Sequence, residues 1–174
     1  MFFVQMSGFP GSGKSTLAQQ ISKRIGGVII DHDIVKSALL HSIKETSIDV
    51  KLAGKISYNI EWSLIEFYLS QGQAVILDSP CLYEELVKKG TELSKKYNVK
   101  YKYVECYLDD INEVNFRLKN RERMVSQIKE IKSQENFKYT IENSEKSPEH
   151  KSMVVNTGQP LDGYIQDVIN YINE

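Results

Sequence analysis

The stretch GFPGSGKST starts at Gly8, directly behind the apolar opening Phe2 to Met6. A packed core gains nothing from glycines, a lysine and hydroxyls crowded together. Glycine removes the Cβ that keeps ligands away from main-chain N–H groups, and it tolerates positive φ. The stretch therefore reads as a tight loop between a buried strand and a helix, with its backbone open to something that approaches it. The helix that follows carries Leu17, Ile21 and Ile25 on one face and is stopped by Gly26-Gly27. A strand, a curled loop and an amphipathic helix begin a βαβ unit, so the rest of the chain has to supply parallel strands beside the first.

Such strands are present. Val28 to Ile30, Ala74 to Leu77, Tyr101 to Leu108 and Met153 to Val155 are short apolar runs rich in β-branched and aromatic residues. Helical spacing lies between them: Ile34 to Ile43, then Leu52, Ile56, Ile60, Leu64 and Phe67 as far as Gly72. Leu86, Leu93 and Tyr97 mark a further helix that Gly90 weakens, and Ile111, Val114 and Leu118 mark the next. Leu161, Ile165, Val168, Ile169 and Ile172 share one stripe of the last. This alternation predicts an α/β fold, a parallel five-stranded sheet with helices on both faces, in one domain spanning 1–174.

Composition excludes some functions. A formal charge of -1 gives no global basic field, which argues against coating nucleic acid. Cys81 and Cys106 are the only cysteines and form no CxxC, so a reduced chain with two packing thiols is expected. The apolar opening is too short and lacks the basic leader of a signal peptide. No run approaches the ~18 apolar residues of a membrane span, so the expected location is cytoplasmic, without a membrane partner.

Gly8 to Ser15 fits G-x-x-x-x-G-K-[ST], the spacing of a phosphate-binding loop. A triphosphate needs many donors at close range, and consecutive N–H groups supply them along Gly8, Pro10, Gly11, Ser12 and Gly13 wherever no Cβ or missing N–H intervenes. Ser15 and Thr16 open a helix whose N-terminal dipole favours the same anion. Lys14 is placed for the β- and γ-phosphates of ATP, and the Ser15 hydroxyl for Mg2+. By residue frequencies the motif arises by chance in on the order of one in a hundred chains of this length, and here its strand-before, helix-after context is also met. Ligands of parallel sheets sit beyond the carboxyl ends of the strands. Asp31 and Asp33 follow the second strand there, and Asp78 ends the third. Arg117 and Arg121 stand at i and i+4 on the helix from Ile111, sharing a face, with Arg123 close behind.

GFPGSGKST, Asp31-His32-Asp33 and the Ala74 to Pro80 segment together resemble the P-loop kinases. This group includes shikimate and gluconate kinases, chloramphenicol phosphotransferase and polynucleotide 5'-hydroxyl kinase, with unassigned predicted kinases of AAA-like ATP-binding type. The Tyr58 to Trp62 helix running to Gly72 is most similar to that unassigned set. The resemblance spans nearly the whole chain and implies the P-loop NTPase fold with a small helical lid, roughly 117–151. It implies an ATP- and Mg2+-dependent kinase with a hydroxyl acceptor on a small molecule or nucleotide. Asp33 then matches the aspartate that orients the acceptor hydroxyl, because Lys36 follows it at the D-x-x-[RK] spacing. Asp31 and Lys36 join it as substrate-binding candidates. Asp78 matches the Walker-B-type acid beside Mg2+, and no second acid follows it, unlike in mechanical ATPases. Arg117 and Arg121 match lid arginines. Gly158 and Pro160, in the segment Val154 to Leu161, match the adenine-side loop, although Asn156 stands where the family often has aspartate.

Each assignment has a plainer rival. Asp33 could cap the helix from Ile34, and His32 could simply be exposed. Lys36 could be a solvated helix charge, and Arg117 could pair with Glu113. Tyr107-Leu108-Asp109-Asp110 competes with Asp78, but Glu105 interrupts its strand and Asp110 has a helix to cap. The stretch from Gln127 to Lys151 is polar and poor in core residues, either a lid or a surface excursion. Two other functions compete as well: a nucleotide-dependent switch, and a polynucleotide kinase hinted at by Lys36, Lys44, Lys51 and Lys55. Neither the acceptor nor the oligomeric state is written in these motifs.

Overall fold

In the computed structural model, the residues described are 1–43, 49–81, 83–142 and 152–174. Five strands form one sheet: β1 (Phe2–Ser7), β2 (Val28–Asp31), β3 (Val75–Asp78), β4 (Lys100–Tyr107) and β5 (Ser152–Asn156). All neighbours are parallel, in the order β2-β3-β1-β4-β5. The helices are α1 (Lys14–Ile25), α2 (His32–Ser42), α3 (Val50–Ser70), α4 (Glu84–Lys96), α5 (Ile111–Asn120), α6 (Gln134–Glu142) and α7 (Ile165–Asn173). Lys44, and the part of the expected lid from 143 to 151, lie outside the described residues.

The two-residue period of β1 sorts its side chains onto both sides of the sheet. Phe2, Val4 and Met6 join Leu17 and Ile21 of α1 and Val168 and Ile172 of α7 in one core. Phe3 enters the other, with Trp62, Ile65 and Leu69 of α3 and Leu86 and Val87 of α4. Gln5 is fully buried on that second side. Its amide is satisfied there: Tyr101 Oη donates to Oε1 at 2.8 Å, and Nε2 donates to the Leu86 carbonyl at 3.2 Å.

Local chemistry moves several expected boundaries. The Asp31 carboxylate accepts from the N–H groups of Asp33 and Ile34, so α2 starts at His32 and Asp31, not Asp33, is its cap. Glu105 does not interrupt β4. The ladder holds it from both sides, opposite Ser7 in β1 and Val154 in β5, and the residue is buried. Leu161 belongs to a separate 3-10 turn, Leu161–Gly163, ahead of α7, because the chain breaks helical geometry at Tyr164. The polar stretch is also better anchored than its composition suggests. Phe137 of α6 is buried with Leu108, Val114 and Leu118, and packs edge-on against Phe9 of the glycine-rich loop at 4.9 Å.

Gly90 sits inside α4 without breaking it. A Cβ there would lie 2.2 Å from Gln5 Oε1 and 2.9 Å from the Tyr101 ring. Both atoms are pinned by their mutual hydrogen bond, so the glycine is the space that lets α4 seat on β1 and β4. Gly90→Ala should lower stability by about 1–3 kcal/mol through overpacking, despite alanine's better helix propensity. Urea denaturation measures this, and a variant at least as stable as the parent contradicts it.

Candidate active site

The loop after β1 is shaped by glycines that have no substitute. Gly8 has φ +135°, and a Cβ on it would lie 2.4 Å from the Cys106 carbonyl oxygen. That oxygen is backbone of β4 and cannot yield. Gly11 and Gly13 both have φ +87°, the left-handed region that side chains disfavour. The loop therefore lies flat against the end of the sheet. Lys14 opens α1 and folds back over it, with Nζ donating to the carbonyls of Gly8 at 2.8 Å and Phe9 at 3.1 Å. The amine is buried, which pulls its pKa below the ordinary lysine value, while Asp78, Cys106 and Asp33 oppose the fall. An incoming polyphosphate would reinforce the charged form.

Asp31 and Asp78 lie side by side in register at the carboxyl ends of β2 and β3. Burial raises the Asp78 carboxyl above its ordinary value; Lys14 and a hydrogen bond from Ser15 pull it back. A hydroxyl and a carboxylate in contact beside the loop are hard oxygen donors that fit Mg2+. Among the described residues no group of three or more His, Cys, Asp or Glu side chains gathers to hold a metal. A cation here would thus take few protein ligands and complete its shell from phosphate and water, as Mg2+ does. The rival Asp110 caps α5, accepting from Asn112 and Glu113 N–H, and Asp109 accepts from Tyr107 Oη.

Asp33 projects from the first turn of α2 and acts electrostatically on both Lys14 and Asp78. Its two carboxylate oxygens are taken by one turn of the chain. Ser126 Oγ donates to Oδ1 at 2.9 Å and Gln127 Nε2 to Oδ2 at 2.9 Å. Lys36, one turn on, lies over α3, with Nζ 3.8 Å from where a Gly54 Cβ would be.

His32 is not exposed. It is buried, stacked on Tyr58 at 4.3 Å, with Nδ1 2.8 Å from Oε1 of the fully buried Glu61. Glu61 carried no signal in the sequence, because its position on α3 reads as one more charge on a long helix.

The two arginines part company. Arg117 forms the expected pair with Glu113 at 2.7 Å, and also donates through Nη2 to the Thr157 carbonyl at 2.9 Å. Its Nη1 lies 3.6 Å from where a Gly13 Cβ would be, so it buttresses the loop. Arg121 does not share that helix face: α5 ends at Asn120 and Arg121 is extended. There its guanidinium bonds the Ile128 carbonyl and feels Asp33, and its buried Nε has no hydrogen-bond partner among the described residues. Thr157, which the sequence did not single out, ties the far side together: Oγ1 donates to the Ser12 carbonyl at 2.7 Å. Next to it Gly158 N–H donates to Asn156 Oδ1 at 2.9 Å, so the amide that stands in for aspartate still closes the turn before Pro160.

A family model described as an AAA domain matches residues 3–138, most of the chain. The chain belongs to this AAA-domain family. No curated protein matches it in sequence. Solved structures match its fold over nearly their whole length. A Chloroflexus aurantiacus protein provisionally described as a kinase is 14% identical, with 97% of each chain covered and a TM-score of 0.76. A sugar kinase from Janibacter sp. is 15% identical, with 99% of this chain and 94% of that one covered and a TM-score of 0.66. The APS kinase of Mycobacterium tuberculosis, solved with AMPPNP and APS, is 13% identical, with 99% and 97% covered and a TM-score of 0.64. The AAA-domain chain thus has the fold of the P-loop kinases. Among its described residues no helix is long and apolar enough to cross a membrane.

The paired acids give a pH signature. Burial first, then Asp78, pushes the Asp31 carboxyl from its ordinary 3.8 up to about 6. The folded state holds this proton more tightly than the unfolded one, so the group's contribution to stability falls as pH rises through that window. Asp31→Asn keeps a capping oxygen and removes the titration. Urea midpoints of the variant should fall less between pH 4 and 6 than those of the parent; equal slopes contradict the assignment.

Proposed function

We propose that this AAA-domain protein is an ATP- and Mg2+-dependent kinase that transfers the γ-phosphoryl group to a hydroxyl of a small molecule or nucleotide. The observation that carries the proposal is the placement of Asp33. Its carboxylate stands within the electrostatic reach of Lys14 and already receives an alcohol O–H, that of Ser126. The sugar kinase and the APS kinase that share the fold, both phosphotransferases by name, support the small-molecule class of acceptor.

In this reading the N–H groups of Gly11, Gly13, Lys14, Ser15 and Thr16 bind the polyphosphate, while those of Gly8 and Ser12 hold the loop's shape by donating to the Pro80 and Phe9 carbonyls, and the Gly158 to Pro160 turn lies on the adenine side. Lys14 turns from the loop carbonyls to the γ-phosphate. Ser15 and Asp78 would hold Mg2+, which when bound neutralises charge on the β- and γ-oxygens. Asp33 orients the acceptor hydroxyl and takes its proton, since a loose transition state asks for alignment more than for a strong base. Arg121, whose Nε has no hydrogen-bond partner among the described residues, is the arginine set to stabilise charge on the transferring group. Arg117 holds Gly13 and Thr157 in place. Asp31 acts as cap and neighbouring charge, and Lys36 meets an anionic group of the acceptor.

Phosphate incorporation from labelled ATP into sugars, nucleosides, aminoglycosides, chloramphenicol and 5'-hydroxyl oligonucleotides tests the class. Transfer to one of them is expected. Phosphate release indifferent to every acceptor would instead identify a nucleotide switch. Lys14→Ala should lower turnover by at least about 10²-fold, the scale of losing one transition-state donor. Asp33→Asn should cut transfer by about 10²–10⁴-fold, the range of general-base catalysis, with ATP affinity unchanged. Collapse of ATP affinity in Asp33→Asn would place that residue in the fold or the metal shell.

A further inference from the structure

Asp33, the residue proposed to receive an acceptor alcohol, already holds one from its own chain. Ser126 Oγ donates to Asp33 Oδ1 at 2.9 Å and lies 3.3 Å from the Asp33 carbonyl. Ser37, one helical turn beyond Asp33, donates its hydroxyl to Ser126 Oγ at 2.9 Å and accepts from Ser126 N–H at 3.3 Å. The turn is closed on itself, Gln127 N–H donating to the Met124 carbonyl at 3.1 Å and Met124 N–H to Gln127 Oε1 at 3.2 Å. Gln127 Nε2 then fills the other carboxylate oxygen. Ser126 reaches a carboxylate 93 residues away in sequence, at an acid whose field falls on both Lys14 and Asp78. Arg121, five positions earlier, brings its guanidinium into that same field.

We propose that Ser126 is a phosphoryl acceptor within the chain itself, so that the AAA-domain protein phosphorylates its own Ser126. This rests on the kinase reading above. A bond forms between Ser126 Oγ and the γ-phosphorus of ATP. The bond from that phosphorus to the β,γ-bridging oxygen breaks, and ADP leaves with the electron pair. The hydroxyl proton passes to Asp33 along the hydrogen bond already made. Until the turn moves aside, an external acceptor finds both oxygens of Asp33 occupied.

The test uses the full chain with [γ-32P]ATP and Mg2+, without any acceptor, followed by tryptic mapping. Ser126 is the only hydroxyl residue in the peptide Met124–Lys129, so the site reads directly from that fragment. Label should appear on this peptide, at a rate independent of protein concentration, and be absent from Ser126→Ala and Asp33→Asn. ATP binding is followed in the same buffer by calorimetry. A chain that binds ATP yet carries no phosphate at Ser126 overturns the inference, leaves the kinase reading standing and makes the turn an occluder only. A rate that rises with protein concentration overturns it too, since transfer would then run between chains. No ATP uptake removes this inference and the kinase reading together.

Discussion

A lysine ammonium buried at the end of the central strand is the constraint on which the rest of the AAA-domain structure depends. Burying such a charge is costly unless it is hydrogen-bonded and paired. Here the Gly8 and Phe9 carbonyls receive it, and Asp78 and Asp33 hold its charge from the neighbouring elements. The arrangement exists only because the loop can lie against the β4 backbone, and that contact leaves no room for a Cβ at Gly8. The polar groups at this edge are thus arranged around the Lys14 side chain.

Around that centre the sheet order does the positioning. Placing β1 between β3 and β4 brings the loop, Asp78 and the end of β4 together, and placing β2 outside β3 adds Asp31 and α2. Buttressing comes from the other side of the loop. Arg117 and Thr157 lock Gly13 and Ser12, while the small core of Val114, Leu118 and Phe137 receives Phe9. The segment 121–137 therefore does two things: it roofs the loop with apolar contacts, and it lays a polar turn across Asp33.

Much of this could be seen in the sequence because the periodicities are strong. Strands of β-branched residues, Gly26-Gly27 and the loop motif each have a local cause that tertiary structure did not override. What escaped was of two kinds. Gly90 looked like a weak point because its role is the absence of a Cβ against Gln5 and Tyr101, which no local pattern encodes. The cap of α2, for which the sequence offered Asp33 as a rival role, is Asp31, because the direction of the strand end decides which acid reaches the first N–H groups of the helix. The His32–Glu61 contact and the Ser126–Asp33 contact join residues 29 and 93 positions apart. Arg121 was placed on the helix by its spacing, and left it because α5 stops at Asn120.

The account is tested most directly by isothermal titration of the intact chain with ATP, in the presence and absence of Mg2+. A saturable exchange of heat with one nucleotide per chain, lost when the metal is chelated, is the predicted result. No magnesium-dependent uptake of ATP or of any other nucleoside triphosphate would contradict it.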